Sequence, residues 1–154
     1  TGFNIYRAVD GVVSKGADLE VSGRLAQGWN VYAGYTWLQV DGLSYQQDPR
    51  HLLRLNTSWT LPGALSKLTV GGGATWRSGV SRSDVAMPGG FTDLEQGGYT
   101  LVSLMSRYAL NDHLSVSAHV DNLFDKQYLT RIRNNGWATP GDARAAILTA
   151  DYSF

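Results

Sequence analysis

Six residues of this sequence could in principle carry reaction chemistry: His51, His113, His119, Ser117, Asp93 and Glu95. Ser117 and His119 fall on one face of an extended segment, but a serine nucleophile also needs a group to orient the imidazole and donors for the oxyanion. Nothing near them offers either. The histidines do not stand at metal-ligand spacing, and His-Glu-x-x-His, Gly-x-Ser-x-Gly and phosphate-cradling glycine motifs are all absent. Asp93 and Glu95 read as solvated loop carboxylates rather than an acid/base pair. The expectation is that the chain is not an enzyme. Another set suits ligand capture. Tyr45, Arg82, Arg131, Arg133 and Trp137 occupy long polar connections, with Arg77 at the outer end of a strand. Guanidinium groups bind oxyanions through charge-assisted hydrogen bonds and stack on aromatic planes. That chemistry fits an anionic or aromatic chelate. The competing reading is that these arginines are merely solvated or sit on lipopolysaccharide phosphates.

The elements that would position those loops are strands. Side chains alternate faces with period two in a strand, and the chain alternates over seven segments. These are the stretch leading through Ala17 to Leu25, Trp29 to Val40, Arg50 to Leu61, Leu68 to Ser78, Tyr99 to Leu110, Leu114 to Phe124, and the terminal Ala143 to Phe154. In the last, Leu148, Ala150, Tyr152 and Phe154 share the apolar face. Residues 3–9 are a possible further strand. Short turns such as Ala26-Gln27-Gly28 and Asn111-Asp112-His113 close one end, while the stretches from Gly79 to Gly98 and from Asp125 to Asp142 read as long loops at the other. The hairpins recur roughly 40 residues apart, but each repeat holds two long strands, not the four short ones of a propeller blade.

With 13 basic and 13 acidic residues, the chain lacks the basic excess of a nucleic-acid binder. It has no cysteine, so no disulfide framework or thiolate zinc site is encoded. No apolar run is long enough for a transmembrane helix. Strands that are apolar on one face and polar on the other suit a barrel wall in lipid, where the average hydropathy stays low. Trp29, Trp59 and Tyr108 fall toward the short-turn end; Tyr35, Trp37 and Trp76 fall toward the long-loop end. Their separation, about 20 Å along the membrane normal, matches two interfacial aromatic girdles. The alternative is that the tryptophans pack the core of a sandwich.

Seven strands leave a wall open, and an open edge in hydrocarbon strands backbone donors and acceptors. Either residues 3–9 close a small eight-stranded barrel with a structural or adhesive role, or the chain is part of a larger barrel. Gly34, Asn56, Ser58, Gly71, Gly73, Thr75, Ser103, Ser115 and Ser117 on the inward face are too small to fill a narrow lumen. The larger barrel is favoured. No leader precedes Thr1, so the sequence reads as processed or as cut from something longer.

Specific motifs point the same way. Asn122-Leu123-Phe124-Asp125-Lys126-Gln127-Tyr128 closely resembles a segment near the end of TonB-dependent outer-membrane siderophore receptors. Ser14 to Glu20, Gly34-Tyr35-Thr36, Pro49-Arg50-His51 and the terminal Phe154 are similar to that family too, with Lys15 and Asp18 as mild departures. The resemblance covers nearly the whole chain. It implies an all-β fold, with residues 1–154 forming the C-terminal third of an antiparallel transmembrane barrel of about 22 strands. It implies a bacterial outer-membrane location and import of a ferric siderophore, energised by the TonB complex through an N-terminal plug that this sequence lacks. Iron would arrive caged in its chelator, so the resemblance implies no cofactor and no metal ligand. It further implies that Leu148, Ala150, Tyr152 and Phe154 form the signal read by the barrel assembly machinery.

Overall fold

The computed structural model describes residues 11–42, 48–132 and 137–154. The possible strand at residues 3–9 lies outside them. Seven long strands form one antiparallel sheet: β1 (Val13–Ala26), β2 (Trp29–Asp41), β3 (His51–Thr60), β4 (Leu68–Arg77), β7 (Tyr99–Ala109), β8 (Leu114–Asp121) and β11 (Ala145–Tyr152). They pair in that order, each with its neighbour in the chain direction, so the sheet is an up-and-down meander. β1 and β11 are its two edges and do not pair with each other. The period-two segments therefore became strands, with ends within a few residues of those expected. β8 stops before Phe124 because Asn122 adopts a left-handed backbone, φ 47°, which a strand cannot continue through.

The register shows what each face presents. Directly opposed residues share a face. Leu19, Tyr35, Leu53 and Trp76 form one row across β1–β4, and Val21, Ala33, Leu55, Ala74 and Val102 form the next. Trp29, Trp59 and Val70 lie in a row toward the short turns. The opposite face carries rows such as Glu20, Gly34, Arg54 and Thr75, then Ser22, Tyr32, Asn56, Gly73 and Ser103. Among the described residues no second layer covers the apolar face: Leu19, Val21, Leu55, Leu104 and Leu148 are all exposed. A sandwich would bury those side chains between sheets. This is a single wall.

Some polar atoms on the apolar face pair within it. Trp29 Nε1 donates to Thr57 Oγ1 at 2.8 Å, and Thr57 Oγ1 donates to Asn30 O at 3.1 Å. The Tyr35 hydroxyl lies 2.7 Å from His51 Nδ1, with the two rings stacked. On the polar face Tyr32 folds over Gly34 and its hydroxyl donates to Glu20 Oε1 at 3.0 Å. A Cβ on Gly34 would come within 2.7 Å of that hydroxyl, which is why the position is glycine.

The turns obey local chemistry. Gly28, φ 74°, closes β1–β2, a single 3-10 turn at Gly63–Leu65 closes β3–β4, and Asn111 Oδ1 accepts from His113 N and Leu114 N to close β7–β8. At the other end the sequence expectation needs correction. The stretch from Gly79 to Gly98 is a hairpin, β5 (Val80–Met87) with β6 (Gly90–Gln96), and the second long connection carries β9 (Leu129–Ile132) paired with β10 (Ala138–Pro140). Their polar, glycine-containing sequences lack a lipid-facing apolar stripe, so alternation does not reveal them.

Candidate functional site

The loop end of the wall is where the candidate ligand residues gather. Arg77 ends β4 and lies opposite Tyr99, on the polar face. It lines a recess of about 420 Å³ together with Arg54, Asp121, Asn122, Tyr128 and Asp142. Its Nε is buried and has no hydrogen-bond partner among the described residues. Arg131 sits on β9 opposite Thr139, exposed, and Trp137 stands exposed just before β10. Arg131 and Trp137 thus belong to the β9–β10 connection, while Arg77 stands on the wall strand β4. Tyr45 and Arg133 lie outside the described residues. Arg82 departs from the expectation: it is buried, and its Nη1 contacts Ile132 O at 3.4 Å, so it serves the packing between loops.

The enzyme candidates separate in the same way. His119 Nε2 lies 2.8 Å from Asp121 Oδ1, and Ser117 makes no side-chain hydrogen bond among the described residues. His51 is held by Tyr35, and His113 Nδ1 lies 3.0 Å from Ser153 O at the terminal strand. Asp93 and Glu95 sit on β6. Among the described residues no three metal-ligating side chains cluster.

The remaining candidates lie on the apolar face. Tyr35 and Trp76 share one row, with Trp37 opposite His51 one row nearer the loops. Trp29 and Trp59 face each other with ring centroids 6.3 Å apart, and Tyr108 lies opposite Leu68 and Val116. Leu148, Ala150 and Tyr152 line the outer face of β11, opposite Ala118, Val116 and Leu114. Phe154 stands edge-on to Tyr152 at 5.4 Å.

Residues that sequence reasoning did not assign a role tie the loops together. Asn122, 7% exposed, donates from Nδ2 to Lys126 O (3.0 Å) and Asp142 O (2.9 Å), and its Oδ1 accepts from Lys126 N (2.8 Å). Asp125 Oδ1 accepts from Arg144 N at 2.9 Å. The motif containing them was visible in the sequence; what its asparagine binds was not.

Comparison with known proteins agrees with this architecture. Residues 1–123 match the family model described as TonB dependent receptor-like, beta-barrel. The chain is 40% identical over 146 residues to the ferripyoverdine receptor of Pseudomonas aeruginosa, covering 92% of this chain and 18% of that protein. A ferric-pyoverdine receptor of Pseudomonas putida is 34% identical over 98% of this chain and 18% of its own length. The crystal structure of the P. aeruginosa outer-membrane receptor bound to ferripyoverdine superposes with a TM-score of 0.82 at 40% identity, over 92% of this chain and 19% of that one. The ferric-catecholate import receptor Fiu of Escherichia coli K12 gives 0.76 at 27% identity, over 90% of this chain and 20% of that one. The chain thus spans about a fifth of the length of the relatives it matches. On the family match and the pairing of its strands, the chain belongs to the TonB-dependent receptors, as a segment of their outer-membrane β-barrel.

Proposed function

We propose that this segment is part of a receptor that imports a ferric siderophore of the pyoverdine class across the bacterial outer membrane. The observation that carries the reading is the single wall with an uncovered apolar face and a polar face, in a chain 40% identical to a ferripyoverdine receptor. Hydrocarbon solvates the apolar face, and the polar face lines the lumen. Trp29, Tyr35, Trp37, Trp59, Trp76 and Tyr108 form the interfacial girdles. Residues 1–154 are the C-terminal part of the barrel domain, and the plug and the contact with the energising TonB complex belong to other parts of the receptor.

Tyr45, Arg77, Arg131, Arg133 and Trp137 bind the incoming chelate. Arginines meet its oxyanions and the aromatics stack on its planar groups. The unpaired Nε of Arg77, beside Arg54 in the lumen-side recess, supports this assignment. Iron is cargo held by the chelator, and no resident metal or cofactor is invoked. The reading is tested by deleting the full-length gene and measuring uptake of radioactive iron supplied as ferric pyoverdine to iron-starved cells. Uptake falls to background and returns with the wild-type gene. A deletion strain that takes up ferric pyoverdine at the wild-type rate, with other receptors removed, overturns it.

A further inference from the structure

Among the described residues several buried side chains lie at the loop end, while Gly34 and Ser115 are buried within the wall itself. Val85 is 0% exposed, Ile132 6%, Tyr99 7% and Arg82 8%, and all lie on or beside the two hairpins at the loop end. Two contacts join those hairpins across a wide sequence gap, and a third ties the residue before β9 to the start of wall strand β7. Leu129 N donates to Gln96 Oε1 at 2.9 Å, Arg82 Nη1 reaches Ile132 O, and the Tyr99 and Tyr128 rings meet at 4.7 Å. Gln96 ends β6 and Tyr99 begins β7, while Tyr128, Leu129 and Ile132 belong to the β9–β10 connection.

Tyr128 is itself held from both sides. Its ring lies over Gly141, where any Cβ would overlap the aromatic atoms, and its carbonyl accepts from Gly141 N at 2.8 Å. Asn122 crosslinks the first and last residues of the same connection, Lys126 and Asp142, from one amide. Two residues take the left-handed backbone that this turn requires, Asn122 at φ 47° and Asp125 at φ 51°. Such conformations persist in non-glycine residues where the surroundings fix them. Leu123 N, donating to Val102 O at 2.8 Å, anchors the turn to β7.

We propose that Asn122 and Tyr128 are positioning residues that lock the connection bearing β9–β10 against the start of β7 and the end of β8, and so against the β5–β6 hairpin that leads into β7, and that chelate affinity depends on the lock. The hairpin bearing Arg131 and Trp137 would otherwise hang on a long connection whose ordering the ligand itself would have to drive. With the clasp closed, that cost is met on folding. The affinity clause rests on the function proposed above; the mechanical clause does not.

The test uses the full-length receptor in detergent, with spin labels at Phe91→Cys and Thr139→Cys, exposed positions on the two hairpins. The wild-type background gives one narrow distance distribution. Tyr128→Ala and Asn122→Asp broaden it and raise the Kd for ferric pyoverdine about tenfold. Asn122→Asp keeps the acceptor for Lys126 N and removes both amide donors. Tyr128→Phe keeps the ring contact and restores both readouts, which a general loss of stability would not do. Heat-modifiable migration of each variant checks that the barrel is intact. A narrow distribution in both broken variants overturns the proposal, as does a broadened one with unchanged Kd. Failure of the wild-type receptor to bind ferric pyoverdine sinks the proposed function instead, and the distance measurement then decides the clasp alone.

Discussion

Single polar atoms on the apolar face are where lipid exposure has its sharpest consequence. The Tyr35 hydroxyl and His51 Nδ1 satisfy each other at 2.7 Å in the girdle where the apolar face meets the membrane interface and few waters compete for them. Tyr35→Phe leaves that imidazole nitrogen without its partner and lowers stability by about 1 kcal/mol, read from urea unfolding of the full-length receptor in lipid vesicles. In water the same change on an exposed pair would be close to neutral, so no measurable loss would argue that this face is wet. Phe154 is a different case. It is fully exposed and its ring meets that of Tyr152 alone among the described residues, so it contributes little packing to the wall. Phe154→Ala therefore reduces the amount of receptor inserted in the outer membrane while leaving the ferric pyoverdine Kd of the inserted fraction unchanged. Wild-type insertion with weakened binding would reverse that assignment.

At the scale of strands, the two faces predict opposite responses to the same side chain. Leu55 and Asn56 are adjacent on β3, the first in the apolar row with Val21 and Ala74, the second in the polar row with Tyr32 and Gly73. Leu55→Arg puts a charge in hydrocarbon and costs about 2–4 kcal/mol near the bilayer midplane. Asn56→Arg faces the lumen and costs well under half of that if Tyr32 can give way. Unfolding of both variants in vesicles measures the contrast, and equal effects would remove the sidedness. The same alternation is what made the wall legible from residues alone. Seven segments repeat apolar and polar positions over a whole strand length, and a residue's face follows from its parity. Hairpins β5–β6 and β9–β10 were not legible, because they bury Val85 and Ile132 at the loop end instead of presenting a stripe to lipid. Arg82 was misread for the same reason: its type suggested a ligand contact, and only tertiary packing shows it spent on Ile132 O. The Asn122 motif could be seen but not interpreted, since its partners Lys126 and Asp142 are fixed by a backbone turn that no periodicity encodes.

The whole molecule is governed by what its two edges need. β1 carries 14 residues and, among the described residues, pairs only with β2, as β11 does only with β8. Every second backbone group along each free edge points outward with no ladder partner. In water such edges recruit other chains, and in hydrocarbon each unsatisfied group costs several kcal/mol. The sheet cannot escape by curling on itself, because seven strands set by these registers leave β1 and β11 unpaired, and the small inward residues Gly34, Gly71 and Gly73 would not fill a narrow barrel. Pairing with additional strands would satisfy both edges, consistent with a segment that covers about a fifth of its relatives. The expected outcome is concrete. The 154-residue chain refolded alone in detergent gives no heat-modifiable monomer and elutes as oligomer or aggregate. Supplied together with the rest of the receptor barrel as a split protein, it enters a heat-modifiable complex. A compact, protease-resistant monomer from the segment alone would mean that the edges find each other, and the eight-stranded barrel would then displace the larger one.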